Sequence, residues 1–190
     1  MVVNFINLFF REDRLTHFQQ QAKEQCFDYI RFEAIHNKKN PKEGITQSHK
    51  AVVRKAKEDG LDMCVVCEDD IRFFDVFAYD YFLSQIPKSF DLFFGLIYVG
   101  DVDSNNRVIS SFSGGMTLYV IHSRFYDWFL SQPDNVHVDR HTGDYANDFE
   151  FYVCHPYVCE QIAGYSDNRH QKVLSYDVYL EGKDLYTYKN

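Results

Sequence analysis

Apolar and polar positions along the chain fall into blocks that switch between two periods. Residues 2–10 form an apolar run that stops at Arg11-Glu12-Asp13-Arg14, and beyond it Leu15, Phe18 and Ala22 recur at helical spacing. A strand over 2–10 and a helix over about 13–25 are therefore predicted. Residues 29–35 alternate as a second strand should, and the Asn-, Lys- and Pro-rich stretch 36–43 reads as a polar loop. The next helix is expected to begin at Thr46, a good N-cap residue, and to stop at Gly60. Ile45, His49, Val52, Val53 and Ala56 share one stripe of it, which turns His49 inward. On spacing alone that histidine reads as a buried, hydrogen-bonded structural one ahead of a ligand-contacting one.

Residues 63–67, Met-Cys-Val-Val-Cys, are apolar without alternation and run straight into Glu68-Asp69-Asp70. That pattern suits a strand covered on both faces, although periodicity alone leaves a buried helical segment open. An aromatic-rich helical stretch over 73–85 follows, then a covered strand over 91–99 in which Gly95 marks close backbone approach. A turn-rich loop over 100–106, a strand over 116–121 and a helix over 124–132 capped by Ser123 come next. Residues 136–150 are polar and acid-bearing; 151–158 resume strand character around Pro156; 161–168 read as a loop and the Tyr-rich 174–188 as a peripheral hairpin or tail. Alternating strands and helices predict a single α/β domain over 1–190, its mainly parallel central sheet flanked by helices, with a core over about 2–170 and a peripheral segment over 171–190. No dinucleotide or P-loop glycine motif is present.

Composition changes this picture little, except at three points. The net charge of −8 argues against a nucleic-acid partner, which would call for clustered Lys and Arg. The start of the chain shows no basic leader or cleavage site and no apolar run approaches the ~20 residues of a membrane span, so a cytoplasmic protein with at most peripheral membrane association is expected. Five cysteines, an odd number, fit a reducing compartment, and Cys64 and Cys67 point to opposite faces of the predicted strand, which disfavours a shared zinc ion. Cys154 and Cys159 read as buried free thiols.

The three consecutive acids are the candidate chemistry. In open α/β sheets ligands bind beyond the carboxyl ends of strands, where this triplet falls. On an extended backbone Glu68 and Asp70 project to one side and Asp69 to the other. Acids at i and i+2 can hold a hard cation, Mn²⁺ or Mg²⁺, that keeps waters and takes phosphate oxygens, an arrangement suited to a nucleoside diphosphate.

Phe5-Ile6-Asn7-Leu8 before Arg11-Glu12-Asp13-Arg14, then Phe32-Glu33-Ala34-Ile35, Gly44 with Ser48-His49, and Val65-Val66-Cys67-Glu68-Asp69-Asp70 together resemble glycosyltransferase family 25, the lipooligosaccharide-type and collagen-type galactosyltransferases. Looser likeness continues through the stretch from Gly115 to Ile121, Val138-Asp139, Tyr152, Pro156, Gln161 and Ser166-Asp167, covering about residues 2–170. The resemblance implies a GT-A type fold, a nucleotide-sugar donor, commonly UDP-galactose, a Mn²⁺-type metal and transfer with inversion to an oligosaccharide or lipid-linked glycan such as lipopolysaccharide. Carried over by position, it implies Glu68 and Asp70 as metal and diphosphate residues and Asp69 on the ribose side. Asn7, Leu8 and Arg14 would lie by the nucleotide, and Ser48 and His49 near the donor. Asp139 is the implied catalytic base, with Asp144 second, although Asp139 could instead be ion-paired to Arg140. His155 or His170 could add a metal ligand. Ile45 stands where many relatives have Cys, and the chain is short. Two other readings are open: a metal-dependent nucleotide-sugar phosphohydrolase using the same acids, and a non-catalytic carbohydrate-binding domain of the same fold.

Overall fold

The computed structural model describes residues 1–167, 171–173 and 175–189. Its centre is a six-stranded sheet of β1 (Val3–Asn7), β2 (Tyr29–Glu33), β3 (Met63–Glu68), β5 (Leu92–Phe94), β6 (Leu118–His122) and β7 (Phe151–Val153), in the order β2-β1-β3-β6-β5-β7. All neighbours are parallel except β6, which runs antiparallel to both β3 and β5. Two antiparallel pairs stand apart from it: β4 (Ile71–Phe73) with β8 (Cys159–Gln161), and β9 (Gly164–Ser166) with β10 (Gln171–Val173). Helices α1 (Glu12–Glu24), α2 (Pro41–Glu58), α3 (Ala78–Ser84), α4 (Ser123–Ser131) and α5 (Val138–Gly143) complete the fold. This is the mixed α/β domain with a mostly parallel sheet that the blocks of the sequence imply.

Continuous apolar runs became the covered strands. Cys64, Val65, Val66 and Cys67 are all buried at the sheet centre, and α2 lays Val52, Val53 and Ala56 in the core. All five cysteines are free and only Cys26 is exposed. Burial pushes the Cys64 thiol up to about 12. No helix among the described residues is long and apolar enough to cross a membrane.

Several boundaries differ from expectation for identifiable reasons. Helix α2 begins a turn earlier than Thr46, because Pro41 takes the first helical position, where its missing N–H costs nothing. Thr46 lies buried inside the helix instead and donates its hydroxyl to the Val136 carbonyl at 2.8 Å. The stretch 73–85 is helical only over Ala78–Ser84, since Ile71–Phe73 pair with β8 and Phe77 adopts a left-handed φ of 59°. The covered strand over 91–99 is confined to Leu92–Phe94. At Gly95, as anticipated, a Cβ would lie 2.9 Å from Cys159 Sγ and 3.0 Å from Leu118 Cδ2. Helix α4 is capped not by Ser123 but by His122, whose Nδ1 accepts the Arg124 N–H. Instead of a loop, 161–168 contributes the end of β8 and all of β9; Asn168 lies outside the described residues. The C-terminal stretch, with Leu174 also outside them, is less peripheral than its composition suggests: Tyr176 stacks on Tyr98 and Tyr186 on Tyr81.

Candidate active site

Strands β1 and β3 are parallel and in register from Val3↔Val65 to Ile6↔Glu68, so their carboxyl ends finish side by side. A cavity of about 780 Å³ opens there, a size usual for small-molecule sites. Leu8 and Arg11 reach it from the β1–α1 connection, Arg14 from the first turn of α1, and Ser48 and His49 from α2. Gly114, Thr117, Asp139, Gln161 and the β9 residues Tyr165 and Ser166 also line it, and the Tyr165 carbonyl accepts from both Arg11 and Arg14.

Glu68, Asp69 and Asp70 all line this cavity. The alternation expected of them does not hold, because β3 ends at Glu68 and Asp69-Asp70 form the turn into β4, which swings Asp69 to the same side as its neighbours. Each acid has its own partners. Arg14, itself buried, places Nη1 2.8 Å from Asp70 Oδ2 and 3.7 Å from Asp69 Oδ1. Asn7 Nδ2 donates to Asp69 Oδ2 at 2.6 Å. The Asn7 amide must present nitrogen there, since its oxygen would face a carboxylate. Burial pushes the Asp69 carboxyl up to about 6 against the pull of that hydrogen bond and of Arg14, with Glu68 adding to the rise. Gln161 Nε2 donates to Glu68 Oε2 at 3.0 Å and to Asp70 Oδ1 at 3.4 Å.

His49 is both structural and cavity-facing. It is buried, with Nδ1 2.9 Å from the Tyr119 hydroxyl, while Nε2 lies 3.6 Å from Glu68 Oε1. A proton on Nε2 would face the carboxylate and leave Nδ1 to accept from the tyrosine. Ser48 lines the cavity with its hydroxyl already committed: it donates to the Gly44 carbonyl at 2.6 Å and accepts the Ile35 N–H at 2.8 Å. Asn7 is buried behind Asp69 and does not line the cavity, unlike Leu8 and Arg14.

Asp139 shares the cavity with the acidic triplet. Its Oδ2 accepts the Gly114 N–H at 3.1 Å and its Oδ1 the Arg140 backbone N–H at 2.8 Å, so the contact with Arg140 is through the main chain. Asp144 lies exposed at the end of α5 and outside the cavity lining. His155 is also outside it, beside Asp184 at 3.4 Å, and His170 lies outside the described residues.

No group of three or more His, Cys, Asp or Glu among the described residues is arranged to hold a metal ion. Glu68 and Asp70 nevertheless converge on one donor, and an all-oxygen pair of this kind suits a hard cation that keeps waters and takes its remaining ligands from phosphate. The pair fits Mg²⁺ or Mn²⁺ carried with a diphosphate, and does not fit a closed protein cage. Cys64 and Cys67, buried within β3, have no part in it.

No family model matches the chain, and no curated protein matches it in sequence. Solved structures do. A glycosyltransferase involved in glycosylating the major capsid of PBCV-1 superposes with a TM-score of 0.55 at 8% identity, over 89% of this chain and 95% of its own. The chain has a GT-A-like fold. A197 from STIV gives 0.52 at 9% identity over 100% and 98% of the two chains. A mutant of Drosophila β1,4-galactosyltransferase 7, in complex with manganese, UDP-Gal and xylobiose, gives 0.50 at 10% over 100% and 76%. Within this GT-A-like fold Gln161, Gly114 and the β9 residues Tyr165 and Ser166 line the cavity with no role implied by the sequence alone. Gln161 stood in a recognisable stretch, but its partners depend on the β4–β8 pairing, which no local pattern announces.

Proposed function

We propose that this chain is an inverting, metal-dependent glycosyltransferase that moves a hexose, galactose first, from a UDP-sugar to a glycan acceptor such as lipopolysaccharide or another surface oligosaccharide. The observation that carries this is the meeting of Glu68, Asp70 and Asp139 on one cavity of a GT-A-like fold. The family 25 resemblance of the segments around Asn7, His49 and Glu68 supports the galactosyl choice, as does the manganese and UDP-Gal complex of the Drosophila enzyme.

On this reading Arg14 and the acid triplet bind the nucleotide end of the donor, and Asp139 takes the proton of the acceptor hydroxyl. That oxygen bonds to the anomeric carbon as the carbon–oxygen bond to the diphosphate breaks, and UDP departs from the opposite face. The two N–H groups on Asp139 hold its carboxylate in one orientation for the transfer. A divalent ion on Glu68 and Asp70 would neutralise charge gathering on the departing diphosphate.

The test is a panel of UDP-hexoses with Mn²⁺, read as nucleotide release and as acceptor product. UDP-galactose at one hundred times its Kd should stabilise the protein by about 2.7 kcal/mol, and Asp70→Asn should abolish the metal-dependent part. Asp139→Asn should lower kcat at least roughly a hundredfold with donor affinity unchanged. Water as the only acceptor would instead identify a nucleotide-sugar hydrolase, and glycan binding indifferent to metal and nucleotide would leave a binding domain.

A further inference from the structure

The two carboxylates at the tip of β3 meet on a single neutral group, the side-chain amide of Gln161. We propose that Gln161 is the positioning residue of the cation site: its side-chain amide holds Glu68 and Asp70 at one point, and Tyr98 fixes the backbone from which that amide projects. This rests on the metal-binding part of the function proposed above and adds what arranges the ligands.

The amide nitrogen carries two hydrogens at a fixed angle and no charge. One hydrogen can serve each carboxylate, so two groups that repel one another are drawn to a common centre. A Lys or Arg in the same place would also gather them, but its charge would compete with an incoming cation; an amide gathers without competing. The far oxygen of Asp70 is held as well, Oδ2 meeting Arg14 at 2.8 Å, while Glu68 Oε1 faces His49 Nε2 at 3.6 Å. Asp70 is thus fixed at both ends, and Glu68 at one, before any ligand arrives. Outer groups of this kind commonly change metal affinity by roughly ten- to a hundredfold.

Gln161 is placed in turn by Tyr98. The backbone N–H of Gln161 donates to the Tyr98 hydroxyl at 2.8 Å, just where β8 ends. Tyr98 is buried, its ring stacked on Tyr176 at 5.1 Å between centroids and 12° between planes. Gly114 also lies against Tyr98: its φ is +75°, and a Cβ there would collide with the Tyr98 ring. The N–H of the same glycine holds Asp139 at 3.1 Å. One tyrosine therefore touches the supports of both the acidic tip and the proposed base.

Mn²⁺ titration of the full chain, followed by calorimetry and by electron paramagnetic resonance of the free ion, tests this without turnover. Gln161→Ala should bind Mn²⁺ about tenfold or more weakly, with unchanged circular dichroism and with metal-free UDP affinity, measured in chelator, within about twofold. Tyr98→Phe keeps the ring on Gly114 and should weaken Mn²⁺ in the same direction. The double variant should then be little weaker than Gln161→Ala, since both act through one group. A folded Gln161→Ala chain whose Mn²⁺ affinity matches or exceeds the wild type overturns the proposal, as does a wild-type chain that binds no Mn²⁺. If Mn²⁺ binding depends on Gln161 while no UDP-hexose is turned over, the glycosyltransferase reading fails and the assignment of Gln161 stands.

Discussion

Asp69 is caught between opposing influences. Burial raises its carboxyl from 3.8 to about 6, while Asn7 and Arg14 pull the other way. A raised folded value means that the native state holds its proton more tightly than the unfolded chain. The associated stability is therefore complete below about pH 4, is lost as pH rises through 6, and stays lost above it. Asp69→Asn keeps the shape and the acceptor for Asn7 but cannot ionise. Relative to wild type it should gain up to about 3 kcal/mol between pH 4 and pH 7. Urea denaturation at the two pH values in chelating buffer measures this, and an equal difference at both would show that Asp69 does not titrate in this way. The residue also shows what a sequence withholds. That three acids follow an apolar strand is plain from the letters; that Asp69 turns toward its neighbours depends on β3 ending at Glu68, the residue before it.

Among the elements, α2 does two tasks, and the sequence announced one. The stripe of Val52, Val53 and Ala56 was readable from its period and turned His49 inward as expected. The other task falls to Thr46, which looked like a cap and is instead a strut. Its hydroxyl reaches the Val136 carbonyl two residues before α5, the helix that bears Asp139. Thr46→Val preserves the shape, removes that bond and leaves a carbonyl without its donor. It should destabilise the protein by about 1 kcal/mol and, if α5 carries the base, lower kcat more than donor KM. Thermal melts and steady-state kinetics would show this, and an unchanged kcat would separate the strut from catalysis. The α2–α5 link joins segments distant in the chain, as does the β4–β8 pairing that brings Gln161 to the acids. Neither leaves a trace in local periodicity.

For the whole molecule, strands and helices in alternation were enough to indicate a layered α/β domain. The strand order was not readable, because β6 enters between β3 and β5 in the reverse sense and its apolar run is the same in either direction. The distribution of thiols has a practical consequence. Four of the five cysteines are sealed in the interior, and Cys26 alone is exposed, in the turn after α1. Since α1 leads away from the cavity end of β1, and the Val3 N–H donates to the Asp28 carbonyl, Cys26 sits at the opposite pole, beside the start of β1. The native chain thus comes with a built-in attachment point for a fluorophore or a sensor surface. Under native conditions maleimide should add one label per chain by mass spectrometry, rising to five in denaturant, and the labelled protein should keep the thermal stability of the unlabelled one.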